Sequence, residues 1–417
     1  MILPNTSAKA EHSSSEQSSV APAKQPAADD QSIYVVMAGG GTGGHIYPGL
    51  AVTEHLRHLL APTGYKLKVV WAATPRKIDQ RLLGAAGPDY IPQSIKPFST
   101  NPAHWPEFYM AWHQTCRYWQ TFFSQHQVAA VLALGGYAAG AVAYEAAKRN
   151  IPVGLVNPDA LAGRANRFLM KRSNIIFAQW PMEDLSARYA DHTQVVGCPV
   201  RSTLTRMRRD LAAEKLGLDT DRKTLVVTGA SLGAQTINHA IAILLNDPEI
   251  RHLLNGSGGT RWQILHLAGM EHARELQVLA PRWPDIHWKI MDYCDDMAAV
   301  WSMADLAIAR AGAGTCAELS CMAVPAILMP YPFHKDRHQY ANAGKLCAAG
   351  SAILVPDTKD PSHNAAELKP VLMRLLTEPD RLGEMAMAAQ SQARPQAAEV
   401  VAQWLLKQIH AFRGEHA

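Results

Sequence analysis

Three glycine-rich segments, each preceded by a short apolar run, constrain the fold of this chain more than any other feature. They read GGGTGGH at 39–45, GASLGA at 229–234 and RAGAGT at 310–315. A glycine turn between a strand and a helix leaves backbone N–H groups unpaired at the helix N-terminus, where the helix dipole favours an anion. Because glycine also lets a phosphate approach the main chain, the turns predict a phosphate-bearing substrate held between two doubly wound domains.

Short apolar runs alternate with helical segments along the chain, a pattern typical of parallel α/β folds. In the first half, the predicted strands cover 33–38, 67–73, 128–134, 151–157, 175–179 and 193–197. In the second half, they cover 224–228, 262–267, 286–291, 306–309, 326–329 and 352–355. The two halves share this rhythm, which predicts two Rossmann-like units.

The length of 417 residues predicts more than one domain. We expect a disordered tail at 1–31, because it is rich in Ser, Ala, Gln and Pro and has no apolar core. The remaining boundaries follow from composition and periodicity: a first domain at 32–200, a linker with a short surface helix at 201–222, a second domain at 223–393, and a helix at 394–417 that could cross back onto the first domain.

Composition excludes several classes of protein. Hydrophobic residues make up 48% of the chain and charged residues 18%, which is typical of globular cores. The net charge of +4 suits an anionic substrate or membrane surface, but it is too small to indicate a nucleic-acid partner. No apolar run reaches the ~20 residues of a membrane span. The six cysteines form no CxxC pair, so we expect reduced thiols, no metal site and a cytoplasmic protein.

The first glycine turn allows two interpretations. Gly39, Gly41 and Gly44 fit the GxGxxG dinucleotide pattern, but the second predicted strand ends without the acidic residue that binds the NAD ribose. An NADP site that uses Arg76 therefore stays open. His45 lies at the helix start, where the dipole favours a neutral imidazole that can accept a proton as a general base. Simple packing of His45 is an equal alternative.

Two polar features in the second half are candidates for ligand binding. Glu318 follows the third turn and could accept hydrogen bonds from a ribose diol, although a first-turn acid often only compensates the helix dipole. Residues 332–342, PFHKDRHQYAN, follow a predicted strand, at the edge where open α/β sheets bind ligands. Their many donors and acceptors favour sugar recognition over a merely solvated helix face.

An aromatic helix is predicted at 105–123. One stripe is expected to face the core, whereas Tyr118 and Phe122 project off it. Together with Lys96 and Arg117, the helix could contact anionic lipid, or it could be buried on both sides. The stripe consists of Trp105, Phe108, Tyr109, Trp112, Cys116, Trp119 and Phe123.

Taken together, these segments resemble the MurG family, the UDP-N-acetylglucosamine–N-acetylmuramyl-(pentapeptide) pyrophosphoryl-undecaprenol N-acetylglucosaminyltransferases. The resemblance runs from residue 33 to the C-terminus and rests on the order and spacing of seven motifs. These are GGGTGGHIYPGLAV at 39–52, ALGGYAAG at 133–140, GCPVR at 197–201, GASLGAQTIN at 229–238, DDMA at 295–298, RAGAGTCAE at 310–318 and HKDRHQYANA at 334–343.

The resemblance implies a GT-B fold with a nucleotide sugar in the interdomain cleft. It also implies an inverting, metal-independent transfer of N-acetylglucosamine from UDP to the muramoyl C4 hydroxyl of lipid I, which gives lipid II. No cofactor is expected. The implied partners are UDP-N-acetylglucosamine, lipid I and an anionic membrane, and the implied location is the cytoplasmic face of the plasma membrane, as a peripheral protein.

The resemblance also assigns roles to residues. It implies that Thr42 and His45 line the acceptor side, with His45 as the candidate base, and it also implies donor binding at Thr42, Gly43, Gly44 and Asp159. The implied donor contacts are Arg201 and Ser231 for the sugar nucleotide, the main chain at Cys294 for uracil, Gly314 and Thr315 for the diphosphate, Glu318 for the ribose, and His338 and Gln339 for the sugar hydroxyls.

Three stretches depart from the family pattern. Many relatives have His-Glu-Gln-Asn where this chain has VNPD at 156–159, and we expect Asp159 to replace the missing Asn. They have Gln-Gln where this chain has His338 and Gln339, and Gly-Gly-Ser-Gln-Gly-Ala where it has GASLGA. Two alternatives therefore stay open: a UDP-sugar transferase that acts on a different lipid, and an NADP-dependent oxidoreductase. A third, a relative that binds the donor without turnover, also stays open.

Overall fold

The computed structural model describes residues 32–86, 89–182, 187–229, 233–257, 259–333 and 336–415. The chain forms two parallel sheets, one in each half. The strands of the first sheet are β1 (Ile33–Gly39), β2 (Leu67–Ala73), β3 (Asp89–Pro92), β4 (Gln127–Gly135), β5 (Val153–Asn157), β6 (Ile175–Ala178) and β7 (Thr193–Val195). Their order across the sheet is β3-β2-β1-β4-β5-β6-β7.

The second sheet has six strands. They are β8 (Lys223–Thr228), β9 (Trp262–Leu267), β10 (Trp288–Met291), β11 (Ala304–Ala309), β12 (Ala326–Leu328) and β13 (Ala352–Leu354). Their order is β10-β9-β8-β11-β12-β13. In both sheets the first strand in sequence lies inside the sheet, and the order reverses beside it, which is the point where doubly wound folds bind ligands.

Helices cover both faces of each sheet. In the first half these are α1 (Gly43–Leu60), α2 (Lys77–Ala86), α3 (Trp105–Gln125), α4 (Ala138–Lys148) and α5 (Arg164–Met170). The remaining helices are α6 (Arg209–Leu216), α7 (Gln235–Leu244), α8 (Pro248–Leu254), α9 (Ala273–Leu279), α10 (Met297–Met303), α11 (Ala313–Cys321), α12 (His338–Ala348), α13 (Pro361–Thr377), α14 (Pro379–Ser391) and α15 (Ala397–Phe412). Short 3-10 turns lie at Ala61–Thr63, Pro102–His104, Ala187–His192 and Ala280–Arg282.

The predicted strands correspond to observed strands, with ends that differ by up to two residues. The sequence analysis missed β3, the edge strand that pairs with β2. This strand has four residues, of which only Ile91 is buried, so it lacks the apolar run by which the other strands were recognised.

The last helix, α15, packs against α1 and the first sheet, at the opposite end of the chain. Its apolar residues recur at helical spacing and belong to the same buried cluster as the strands of that sheet. The buried residues are Ala398, Val401, Ala402, Leu405 and Ile409. The chain therefore crosses twice between its two halves.

The segment expected to carry a short surface helix forms α6. Its residues Ala212, Ala213 and Leu216 are buried in the core of the second half. The alanine pair and the leucine lie on one face of the helix, which packs against α10. Charged residues dominate the sequence of this segment, so its small apolar stripe is a weak signal of burial.

The predicted aromatic helix is α3, but its stripe is not uniformly core-facing. The C-terminal part is buried at Cys116, Trp119 and Phe123, whereas Trp105 and Tyr109 are 40% and 52% exposed. Phe122, which was expected to project off the stripe, is fully buried, and this fits the alternative of a helix buried on both sides over its C-terminal part. Phe122 stacks on His126, and Tyr34 meets it edge-on from β1. The N-terminal half of α3 is therefore mostly exposed, whereas its C-terminal half belongs to the core.

Candidate functional site

The two halves meet along a cleft lined by the carboxyl ends of the strands. The hydroxyl of Tyr47 on α1 lies 2.8 Å from that of Tyr293, which follows β10. Farther along, the Asn342 amide donates to Asp159 at 2.9 Å and accepts from the Ala160 N–H at 2.9 Å. These contacts join the two halves across the cleft. Helix α1, which follows the first glycine turn, also touches α11, which follows the third.

His45 lies in the first turn of α1, which begins after the N-cap residue Thr42. Its Nδ1 is 3.0 Å from the carbonyl oxygen of Gly40 and 3.4 Å from the Thr42 hydroxyl. A carbonyl can only accept, so Nδ1 carries the hydrogen and Nε2 keeps a lone pair. The ring packs against Gly135 and Gly136, where a Cβ would approach it to 3.2 and 3.1 Å. The structure thus presents a fixed imidazole whose Nε2 can accept a proton.

The first glycine turn differs from the expectation that its N–H groups are free for an anion. The Gly41 N–H donates to the carboxylate of Asp79, at 2.8 and 3.0 Å from its two oxygens. Asp79 is fully buried and also accepts from the N–H and hydroxyl of Thr74, at 2.9 and 2.6 Å. A buried carboxylate at this position repels a phosphate. The first N–H groups of α1, at Gly43 and Gly44, have no intrahelical acceptor by helix geometry, and the N-cap side chain does not bind them.

Arg76, the residue on which the NADP alternative depends, donates to the Gly41 carbonyl oxygen at 3.2 Å. Its guanidinium also lies over the ring of Tyr137, 6.0 Å from the centroid. Since the Gly41 N–H already donates to Asp79, it is not available to bind the diphosphate of a dinucleotide. The NADP alternative is therefore not supported by this geometry.

The third glycine turn keeps its donors. It leads into α11 with Gly312 as N-cap and no side chain capping the helix. The N–H groups of Ala313, Gly314 and Thr315 have no acceptor within the helix. A Cβ on Gly314 would meet no atom within 4 Å, so the space in front of this helix is open. The end of α11 is therefore an anion site of the kind that a diphosphate requires.

Glu318 lies one turn into α11 and is half-buried. The indole N–H of Trp301 donates to its Oε2 at 2.9 Å, which fixes the side chain and leaves Oε1 for a ligand. Burial raises the pKa of Glu318, and the Trp301 hydrogen bond and the charge of Arg201 lower the pKa by less. The carboxylate faces a cavity lined by Arg201, Lys215, Asp295, Asp296 and neighbouring apolar residues.

Arg201 joins the two halves at this cavity. Its guanidinium donates to the Asp295 carbonyl oxygen at 3.1 Å and lies over the ring of Tyr47, 5.2 Å from the centroid. Cys294 precedes Asp295 and is half-buried, with its thiol 3.7 Å from the Asp296 carbonyl oxygen. Burial raises the pKa of the Cys294 thiol, which disfavours the thiolate at neutral pH.

A buried ion pair supports the third turn from behind. Arg310, the first residue of that motif, lies 2.7 Å from Asp357, and both side chains are buried. The same guanidinium donates to the carbonyl oxygens of Met329 and Pro330, at 2.9 and 3.2 Å. Burial raises the pKa of Asp357. Hydrogen bonds from Thr236 and other neighbours, together with the charge of Arg310, lower it by more, so the pKa lies below its ordinary value. The pair ties β11, β12, α7 and α13 together.

The polar segment after β12 lies at the cleft, with its hydrogen bonds partly used. Nδ1 of His338 is 3.0 Å from the Leu161 carbonyl oxygen, and Nε2 is 2.8 Å from the Asp336 carboxylate. Gln339 accepts from the Tyr331 N–H at 2.8 Å through its Oε1. His338 is thus an interdomain contact here, whereas the Gln339 side-chain NH₂ keeps its donors.

Asp159 is also an interdomain contact. It receives the Asn342 amide, and the Asn157 amide donates to its main-chain oxygen at 2.9 Å. The predicted Ser231 lies outside the described residues, as do the neighbouring residues of the second glycine turn and two residues of the 332–342 segment.

Four residues that the sequence did not single out support the cleft in the structure, by lining it or from beneath it: Asp79, Tyr47, Tyr293 and Trp301. The only signal for Asp79 was an acidic residue in the first turn of a helix, which is usually attributed to the dipole. The tyrosine pair has no local signal, because its members are 246 residues apart. Trp301 is buried in the core and its role depends on α11 packing beside it.

Two parallel sheets that face a cleft, with an uncapped helix N-terminus on the second, are typical of the GT-B class of glycosyltransferases. The N-terminal domain model of glycosyltransferase family 28 matches residues 35–178, and the C-terminal domain model of that family matches residues 224–401. The chain belongs to glycosyltransferase family 28 and, within it, to the MurG family, and the expected fold and enzyme class are confirmed.

The relatives agree with this assignment. The UDP-N-acetylglucosamine–N-acetylmuramyl-(pentapeptide) pyrophosphoryl-undecaprenol N-acetylglucosamine transferase of Alkalilimnicola ehrlichii is 35% identical over 90% of this chain and 98% of its own. The enzyme of the same name from Halorhodospira halophila is 34% identical over 88% of this chain and 96% of its own.

Solved structures point the same way. Acinetobacter baumannii MurG is similar with a TM-score of 0.67 and 27% identity, and the match covers 90% of this chain and 99% of that one. A UDP-GlcNAc 2-epimerase from Neisseria meningitidis, bound to UDP-GlcNAc, shares the fold with a TM-score of 0.58 at 15% identity, over 90% of this chain and 100% of that one.

Proposed function

We propose that this chain transfers N-acetylglucosamine from UDP to the C4 hydroxyl of the muramoyl sugar of lipid I, with inversion at the anomeric carbon, and so forms lipid II. One observation carries the proposal. A histidine with an accepting Nε2 begins α1, and an uncapped helix N-terminus with a ribose-ready carboxylate begins α11, across the same cleft.

The donor is held by the second half. The N–H groups at the start of α11, which include Gly314 and Thr315, receive the diphosphate, and Glu318 accepts from the ribose diol through Oε1. Arg201 lines the cavity beside Glu318, and the main chain at Cys294, next to the cavity residue Asp295, receives the uracil. As the bond to UDP breaks, charge grows on the diphosphate and the aimed N–H groups stabilise it.

The acceptor is activated by the first half. The C4 hydroxyl gives its proton to Nε2 of His45 while its oxygen forms a bond to the anomeric carbon. The carbon–oxygen bond to UDP breaks, and its electron pair leaves with the diphosphate. One base on the acceptor face and no carboxylate nucleophile give inversion. Thr42, Gly43 and Gly44 border the acceptor, Asp159 orders the cleft through Asn342, and Gln339 and His338 border the sugar.

An exposed aromatic patch supports contact with the cytoplasmic face of the plasma membrane. It comprises Phe98, Trp105, Tyr109, Met110 and Phe168, each between 38% and 67% exposed. Arg164 lies over the Phe98 ring and Arg172 over the Phe168 ring, so two cations lie against the patch. Such a surface suits peripheral binding to anionic lipid. Along the described parts of the chain, no helix is long and apolar enough to cross a bilayer.

Product analysis tests the reaction. The full chain is supplied with labelled UDP-N-acetylglucosamine and either lipid I or diacylglycerol in detergent, and UDP-galactose serves as the competing donor. We expect label only in the lipid I product and only from the N-acetylglucosamine donor. Label in diacylglycerol would identify the other lipid transferase, and tight donor binding without any product would identify an inactive relative.

Sedimentation with vesicles tests the membrane surface. The protein is expected to bind vesicles that contain phosphatidylglycerol more strongly than pure phosphatidylcholine. Trp105→Ser combined with Tyr109→Ser removes most of this binding. Val278→Ser, which changes an exposed apolar residue of the second half, is the matched control. Equal binding by both variants would contradict the surface.

A further inference from the structure

The peptide group between Gly40 and Gly41 has a hydrogen bond at each end. Its carbonyl oxygen, on Gly40, accepts from Nδ1 of His45 at 3.0 Å. Its N–H, on Gly41, donates to both carboxylate oxygens of Asp79, at 2.8 and 3.0 Å. One planar, conjugated amide therefore joins a buried carboxylate to the histidine that borders the acceptor.

The burial and the hydrogen bonds of Asp79 direct its charge towards this peptide. Asp79 is fully buried, and its other hydrogen bonds come from Thr74, whose N–H and hydroxyl lie 2.9 and 2.6 Å from Oδ2. Within the described chain, no basic nitrogen lies at salt-bridge distance from Asp79. Its negative charge is thus balanced by neutral donors alone. A carboxylate at the N–H end of an amide draws the amide hydrogen and makes the carbonyl oxygen a stronger acceptor.

The glycines beside this peptide pack closely against Asp79 and His45. A Cβ on Gly40 would lie 2.4 Å from Asp79 Oδ2, so only glycine brings the turn this close to the carboxylate. On the other side, Gly136 approaches both the His45 ring and the Gly40 carbonyl oxygen. The peptide is held between two groups and cannot rotate without breaking both hydrogen bonds.

We propose that Asp79 is a positioning residue for His45 and acts through the Gly40–Gly41 peptide. The carboxylate holds and polarises the peptide, and the peptide carbonyl keeps the hydrogen of His45 on Nδ1, so that Nε2 faces the acceptor hydroxyl with its lone pair. When Nε2 takes the proton, the strengthened carbonyl stabilises the imidazolium. This inference rests on the proposed role of His45 as the base.

A double-mutant cycle in the full-length enzyme tests the relay, with the variants Asp79→Asn and His45→Gln. Asp79→Asn is expected to lower kcat about thirtyfold, well below the ~10⁴-fold loss when a carboxylate that touches a catalytic histidine is neutralised. The KM for UDP-N-acetylglucosamine stays within about twofold, because the donor binds to the other half. In the His45→Gln background the same change has no further effect. Asp89→Asn, on the exposed edge strand β3, is the charge-matched control.

Nitrogen NMR of histidine-labelled protein gives a readout that does not depend on turnover. The wild-type His45 signals are expected to show hydrogen on Nδ1 only, and Asp79→Asn to mix the two tautomers. If Asp79→Asn does not fold, Asp79→Ser, which leaves room for a water molecule, replaces it in both experiments.

Three results would overturn the relay: hydrogen on Nε2 in the wild type, an unchanged kcat in the Asp79 variant, or an equal loss in both backgrounds of the cycle. A His45→Gln variant with full activity would instead remove the base assignment. The dependence of the tautomer on Asp79 would still decide whether the peptide link exists.

Discussion

The first and third glycine turns look alike in sequence, yet their backbone donors have different fates. At the first turn, the Gly41 N–H is bound by the buried carboxylate of Asp79. At the third turn, α11 begins without a capping side chain and opens onto empty space at Gly314. The first turn thus orients a histidine, and the third offers its donors to a ligand. A glycine-rich turn predicts that another group can come close to the backbone. Whether that group is a side chain or a ligand depends on the elements that pack beside the turn.

The two turns also differ in how they are supported. Four hydrogen bonds to a lone carboxylate fix the first turn. A buried Arg310–Asp357 pair fixes the third. Changes at the first turn should therefore affect catalysis, and changes at the third should affect donor binding and folding.

His45→Gln is expected to lower kcat by about 10²- to 10⁴-fold, because it removes the proposed base. The affinity for UDP stays unchanged, since the donor site lies on the second half. Steady-state kinetics and calorimetry with UDP measure the two quantities. His58→Gln, an exposed position of the same helix, is the control. A parallel loss of UDP affinity would contradict the separation of catalysis at the first turn from donor binding at the third.

Arg310→Met is expected to lower the free energy of unfolding by about 3–5 kcal/mol, because it leaves Asp357 charged and buried without its partner. Denaturant unfolding followed by tryptophan fluorescence measures this loss. Arg374→Met breaks an exposed pair with Glu378 and should cost at most about 1 kcal/mol. Replacing both Arg310 and Asp357 by apolar residues should recover part of the stability. Equal effects of the two single variants would contradict a buried support.

Glu318→Ala is expected to weaken UDP binding about tenfold to a hundredfold, through loss of charge-assisted hydrogen bonds to the ribose. Calorimetry with UDP and with 2′-deoxy-UDP measures the effect. In the wild type the deoxy ligand binds more weakly, and in the variant the two ligands bind alike. A variant that still discriminates between them would place the ribose elsewhere.

Gly40→Ala and Gly314→Ala compare the turns directly. The first introduces a methyl group 2.4 Å from Asp79 Oδ2, and we expect it to lower the free energy of unfolding by about 1–3 kcal/mol. The second meets no atom within 4 Å, so the protein stays at least as stable while UDP affinity falls severalfold. Thermal unfolding with and without UDP separates these outcomes. Destabilisation by Gly314→Ala would show that the third turn is closed.

The pH dependence of UDP binding should be the smallest effect. Burial raises the pKa of Glu318 above its ordinary value of 4.5. The ribose hydroxyls bind the ionised carboxylate, so affinity is complete above the raised pKa and falls as the pH drops through it. Calorimetry between about pH 8 and pH 5 should show a severalfold loss that begins above the usual range of a glutamate. Glu318→Gln removes the carboxyl contribution and leaves only that of the UDP phosphates.

Much of the molecule was predictable from local pattern. Apolar runs gave the strands other than β3, because a strand buried on both faces must be apolar throughout. The strand–turn–helix order at Gly39 and Gly312 indicated two ligand-facing edges. Glu318 could be proposed from the sequence because its motif is contiguous, and its role in binding the ribose stays a prediction. The short edge strand β3 and the buried face of α6 escaped, since their apolar residues are too few to form a pattern.

The sequence by itself determined the parallel α/β architecture and the family, since periodicity and contiguous motifs are local properties of the chain. Only the tertiary structure decided which backbone donors remain free, because that depends on partners distant in sequence: Asp79 lies 38 residues from Gly41. It also decided that half of α3 stays exposed and that Trp301 holds Glu318. Hydrogen bonds and burial are settled by packing in space, which the spacing of residues along the chain does not record.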